Sequence, residues 1–175
     1  MNQLDRLFDD LAERQNNKKL PPVNQWHPDR TGSIDIRIDT EGAWWHEGRV
    51  IKRQGLVNVF STVLRCDDGV YFLVTPAEKL QIVVEDVPFI GVDFEVTGTG
   101  SDQQVIVTTN VEDHIVLDSE HSLFMTQEKP YFQVRDNLIG RINRSTFYRL
   151  VEHGVEEEGA WHIYSRGARF NLGAV

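Results

Sequence analysis

Leu4, Leu7, Phe8 and Leu11 recur at i, i+3, i+4 and i+7, the spacing of one apolar helix face. This predicts an amphipathic N-terminal helix, closed by the polar run Arg14-Gln-Asn-Asn-Lys-Lys19 and stopped at Pro21-Pro22. From residue 33 the period changes to two. Ile34, Ile36 and Ile38 alternate with Asp35, Arg37 and Asp39, the mark of a half-buried strand. "DTEG" supplies a turn, and "WWHEGRVIKR" continues as strands. Adjacent strand residues point to opposite faces, so Trp44 and Trp45 cannot share one aromatic floor. One ring is expected in the core and the other on the outer face or against the N-terminal helix. "GLVNVFSTVLR" then places Leu56, Phe60, Val63 and Leu64 at helical spacing, and Asp67-Asp68-Gly69 turns the chain into the strands "VYFLVT" and "LQIVV".

The later half repeats much of this order. "IVLDSEH" parallels "IRIDTEG" about eighty residues on, "YFQVR" stands where "RVIKR" stood, and "RSTFYRLVEHG" is the second helix. Strand–turn–strand–helix–turn–strand thus occurs twice. The expected fold is α+β: two small related units from an internal duplication, each of antiparallel strands plus one helix. Residues 1–90 form the N-terminal helix and first unit, and 91–175 form the second. Between them, "VDFEV" and "QVIVTTN" flank the hairpin loop "TGTGSD". No Lys follows that loop and no helix opens after it, so it is not read as a phosphate loop.

Charge narrows the partners. The chain has 18 Lys plus Arg against 27 Asp plus Glu, a net charge of −9, which opposes non-specific binding to DNA, RNA or anionic lipid. A local basic pocket for a small anion is compatible with that total. Cys66 is the lone cysteine, so an intramolecular disulfide and thiolate-rich zinc sites are ruled out, and it reads first as a small buried hydrophobe. The acidic start does not resemble a signal peptide, and no apolar stretch approaches the roughly 20 residues of a membrane span. A cytoplasmic protein without membrane insertion is the expectation.

The six histidines form no His-x-His, His-Glu-x-x-His or i,i+4 pair, so no native metal site and no cofactor is expected. His162 alternates with apolar neighbours and is expected to face solvent or a unit junction. No Gly-x-Ser-x-Gly or comparable nucleophile motif occurs, which leans the reading away from an enzyme. "VTPAEKLQIVVEDVPF" stands out: Glu78 and Lys79 sit in a turn after Pro76, and Glu85 and Asp86 end the next strand. These charges read either as a polar ligand site at a unit junction or as a solvated turn and linker. Arg53, Arg135 and Arg144, each past a strand or at a helix start, are the cations placed to meet those acids or a ligand phosphate; a structural ion pair is the competing role for each.

The stretches "NQWHPD", "GAWWHEG", "LVNVFSTVLR", "DDGVYFLVTPAEK", "VEDVPF", "TTN", "PYFQVR", "FYRLV" and "SRGARFNLG", in this order, resemble a bacterial family catalogued as domain of unknown function 1285, from about Trp26 onward. The resemblance implies a duplicated α+β architecture whose second unit is loosely pleckstrin-homology-like. It also implies a nucleotide-like ligand between the units and a role in signal transduction. Where the family tends to show His-Pro-Leu, this chain has His121-Ser122-Leu123. Three functions follow in order of preference: a small-molecule-binding or regulatory module, a protein-interaction module, and a hydrolase of phosphorylated small molecules. The first predicts that Arg53, Lys79, Glu85, Asp86 and Arg135 converge in one cleft.

Overall fold

The computed structural model describes residues 2–14 and 20–175, and the chain divides into two compact units, Met1–Asp86 and Val87–Val175. Of the polar run that follows the first helix, residues 15–19 lie outside the described residues. The division falls where it does because Phe89 and Ile90 pair with Gly140 and Arg141 and so belong to the second sheet.

In the first unit α1 (Gln3–Arg14) buries Leu4, Leu7 and Leu11. The strands are β1 (Arg30–Ile38), β2 (Trp44–His46), β3 (Arg49–Val50), β4 (Leu64–Asp67), β5 (Val70–Val74) and β6 (Glu78–Val84), with α2 (Gln54–Ser61) between β3 and β4. They form one sheet of order β3-β2-β1-β6-β5-β4. Ile34, Ile36, Ile38, Leu80 and Ile82 give the sheet its apolar face, and Trp44 and Phe60 are buried against it. The helix ends at Ser61, short of the spacing read in the sequence. Val63 and Leu64 are buried as expected, but Leu64 already opens β4 and pairs with Leu73. Both elements bury the same residues, so periodicity could not separate them.

The second unit contains β7 (Phe89–Thr97), β8 (Gln104–Thr109), β9 (His114–Val116), β10 (Leu123–Thr126), β11 (Lys129–Arg135) and β12 (Leu138–Ile142) in the order β10-β11-β12-β7-β8-β9. Then come α3 (Arg144–Val151) and a three-stranded sheet of β13 (Val155–Glu157), β14 (Ala160–Ser165) and β15 (Ala168–Ala174). In this unit β9 and β10 lie at opposite ends of the strand order, yet only residues 117–122 join them. A flat sheet would put about 24 Å between those edges, at ~4.8 Å per step. The linking residues reach about that far only when fully extended, and a turn from the Asp118 N–H to the His121 carbonyl shortens them. The sheet therefore curls to bring its edges together.

Numbered from its own first strand, each unit has the same order, 3-2-1-6-5-4. Both sheets also differ from the all-antiparallel expectation in one way: their first and sixth strands, β1 with β6 and β7 with β12, run parallel. A period of two reports which face is buried and not which way the neighbour runs. The shared order matches β1 with β7, whereas the sequence likeness matched the β1 segment with β9. That likeness came from a shared local turn. The Asp39 carboxylate accepts from the N–H groups of Glu41 and Ala43, and Asp118 accepts from those of Glu120 and His121.

Gly140 sits where β12 crosses two rings. A Cβ there would lie 2.6 Å from the Phe132 ring and 3.2 Å from Phe89, both fully buried. Gly140→Ala is expected to lower stability by about 1–3 kcal/mol, the range for overpacked cores, as read by denaturant titration.

Candidate functional site

The hairpin β2–β3 turns through Glu47 and Gly48, both with positive φ (49° and 76°), the two-residue geometry that matches strand twist. The turn sends Arg49, Val50, Ile51 and Lys52 along one edge of the first unit toward Arg53, the N-cap of α2. Together with His46, Leu56 and the Asn2–Leu4 end of the chain they enclose a groove of about 510 Å³. Leu4, Val50, Ile51 and Leu56 give it an apolar wall, and Arg49, Lys52 and Arg53 give it three cations against one carboxylate, Glu47. Among the described residues none of these three cations forms an ion pair; Arg53 lies over the Phe8 ring at 5.1 Å. No side chain caps the start of α2, so the positive end of its dipole adds to the same field. In a chain of net charge −9, a groove with unpaired cations is an electrostatic exception that favours anions.

The two tryptophans of β2 divide as adjacent strand residues must. Trp44 is buried and stacks on Phe60, with ring centroids 6.3 Å apart. Trp45 lies on the other face, its Nε1–H donating to Asp39 at 2.8 Å and the Arg37 guanidinium 5.0 Å from its ring. They frame the hairpin whose far end lines the groove.

The remaining candidate residues have their own partners. Lys79 bonds Asp67 at 2.8 Å and lies 4.1 Å from the Phe72 ring. Glu78 opens β6, its backbone N–H bonded to the Thr75 hydroxyl. Glu85 accepts from Arg37 at 2.6 Å and from the Thr40 N–H at 3.1 Å, and Asp86 ends the unit. Arg53, Lys79 and Glu85 thus hold three separate sets of partners within the first unit. In the second, Arg135 lies 3.8 Å from Asp113 and 5.2 Å from the Phe89 ring. Burial pushes the Asp113 carboxyl up and Arg135 down, and each charge draws the other back. Arg144 opens α3 and donates to the Tyr148 hydroxyl at 2.9 Å, on the wall of a 350 Å³ groove that also includes Lys129. That groove again combines a hairpin turn with two positive φ values, at Gln127 and Glu128, a cation just after it, and a helix start.

Arg49, Lys52 and His46 were not singled out as site residues from the sequence. The signal was present: "RVIKR" is a basic run in an acidic chain, but it reads first as a strand continuing from the hairpin. Arg65 and Asp67 were missed too. They form an internal clamp, with Arg65 donating to the carbonyls of Val23 and Trp26 at 2.7 Å each and to Asp67.

Residues 21–87 match the family model for the N-terminal domain of domain of unknown function 1285 (DUF1285), and residues 88–172 match that for its C-terminal domain. The chain is similar to the crystal structure of a DUF1285 family protein from Silicibacter pomeroyi DSS-3, at 37% identity and a TM-score of 0.85, over 94% of this chain and 93% of that one. It is also similar to a DUF1285 family protein from Shewanella baltica OS155, at 27% identity and a TM-score of 0.55, over 67% of this chain and 90% of that one. No curated protein matches the chain.

Proposed function

The chain belongs to the DUF1285 family, and from that premise we propose that it is a binding or regulatory module for a small anionic molecule of nucleotide-like chemistry. The observation that carries this is the first-unit groove, lined by Arg49, Lys52 and Arg53, which form no ion pair among the described residues, and by the apolar Leu4, Ile51 and Leu56. Cations with free N–H groups suit phosphate oxygens, and the apolar wall suits the less polar body of the same molecule. A role in signal transduction follows if binding changes what the module contacts. Two sheets of one strand order support descent of the units by duplication, and the curled second sheet followed by α3 supports its looser likeness to pleckstrin-homology folds.

A thermal-shift screen with adenosine and guanosine mono- and triphosphates tests the reading, since a ligand of the native state raises the midpoint by mass action. At least one nucleotide is expected to raise it. Arg49→Glu with Arg53→Glu is expected to weaken that nucleotide by roughly tenfold or more, since each reversal removes a charge-assisted contact. A flat response across all four nucleotides removes the nucleotide reading.

A further inference from the structure

We propose that the second unit carries a docking site for an acidic segment of a partner protein, with one apolar side chain seated among cations at the start of α3. The site is the groove of about 350 Å³ between the β10–β11 hairpin and that helix. The hairpin turns through Gln127 and Glu128, with φ of 50° and 63°, and closes on the pair Thr126–Lys129. So tight a turn fixes where Lys129 lies. β12 brings Arg141 to the same groove and α3 brings Arg144, so three cations meet one carboxylate, Glu128. Lys129 and Arg144 form no ion pair among the described residues. Arg144 donates from Nε to the Tyr148 hydroxyl, which leaves both of its Nη groups for an incoming carboxylate.

The apolar part of the groove is Pro130, Ile142 and Phe147, and Tyr148 stands beside them 55% exposed. This surface continues onto the sheet. Alternate strand residues share a face, so Tyr131 lies on the same side as Lys129, with Arg141 opposite it on β12 and Phe124 opposite it on β10. Phe124 and Tyr131 stack at 6.0 Å, and Phe124 is 37% exposed. Exposed aromatics beside arginines are the composition of a protein-binding patch, where Tyr and Arg supply much of the energy. A small metabolite is the poorer occupant. Pockets for such ligands cover most of the ligand's surface, and here the aromatic wall is open to solvent. A partner protein brings its own surface to cover that wall. Charge then selects the segment. The net charge of −9 opposes extended polyanions such as nucleic acid or an anionic bilayer, while a short acidic run answers to the local cations. The site uses second-unit residues alone and does not rest on the groove at Arg53.

The test is fluorescence anisotropy with a labelled synthetic peptide, a central Leu flanked on both sides by Asp and Glu, titrated with full-length protein. Saturable binding that weakens with added salt is expected. Tyr148→Ala, and separately Lys129→Glu with Arg144→Glu, are each expected to weaken it by roughly tenfold or more. All three side chains are exposed, so both variants are expected to keep the fold, as circular dichroism checks. Replacing the peptide's Leu by Ala, or its acids by amides, is expected to cause a comparable loss. The proposal is overturned by a peptide that does not bind saturably, or by binding that both variants leave unchanged. Self-association of the chain, or adsorption to phosphatidylglycerol vesicles, that Tyr148→Ala abolishes gives the groove to a second copy or to a membrane and overturns it as well.

Discussion

Trp44→Ala is expected to cost about 3–5 kcal/mol of stability, the range for truncating a large buried aromatic. Trp44 is 1% exposed, stacks on Phe60 and sits on β2 opposite Ile38 of β1. Its carbonyl accepts from the Ile51 N–H at 2.7 Å, which steers the chain out of the hairpin toward α2. Removing the ring therefore opens a cavity beneath the hairpin that also walls the groove. Trp44→Phe separates two contributions. The indole N–H is buried without a partner, a standing penalty of ~1–3 kcal/mol. Phenylalanine removes that donor while leaving only a small void, so its loss should be well below that of alanine. Denaturant midpoints for both variants check the order; a loss in Trp44→Phe as large as that in Trp44→Ala would contradict it.

Arg65→Met is expected to cost roughly 2–4 kcal/mol, discounted from a fully buried pair because Asp67 is partly exposed. Arg65 is 9% exposed, and its Nη1 donates to two carbonyls in the segment after Pro21-Pro22 while Nε and Nη2 grip Asp67. Methionine fills much of the stem's volume but leaves both carbonyls unbonded by the side chain. Lysine cannot reproduce the fork, so Arg65→Lys should recover only part of the loss. Increased protease cleavage near residues 23–26 should accompany the drop. By contrast, Glu85→Gln, at the exposed Arg37 pair, should cost under about 1 kcal/mol. The clamp also has a pH signature. Burial raises the Asp67 carboxyl, but hydrogen bonds from Lys79 and Arg65 outweigh it and leave it below its ordinary 3.8. A folded pKa below the unfolded one stabilises above about pH 4 and loses that contribution as pH falls through the folded value. Arg65→Met should flatten this acid limb.

The alternating isoleucines of β1 and the apolar run of β5 were legible because each is a local pattern. The parallel pairing of β1 with β6 was not, since strand direction is fixed by where the chain re-enters the sheet and not by any residue in it. The end of α2 was misread for a related reason: Val63 and Leu64 are buried both on a helix face and on β4. Within the candidate site, Arg53 was legible as a cation at a helix start. Arg49 and Lys52 were hidden, because the run that holds them reads first as a strand. His162 reads as an outward strand position, yet only 7% of it is exposed. The Arg65 clamp spans some forty residues of chain, beyond the reach of any local pattern.

The central claim is that the Arg49–Lys52–Arg53 rim holds an anion. Calorimetric titration of a nucleoside triphosphate into the full chain, at low and at raised salt, tests it most directly. Saturable binding that weakens with salt and falls at least about tenfold in Arg53→Glu is the predicted result. No saturable binding, or binding that Arg53→Glu leaves unchanged, would contradict it.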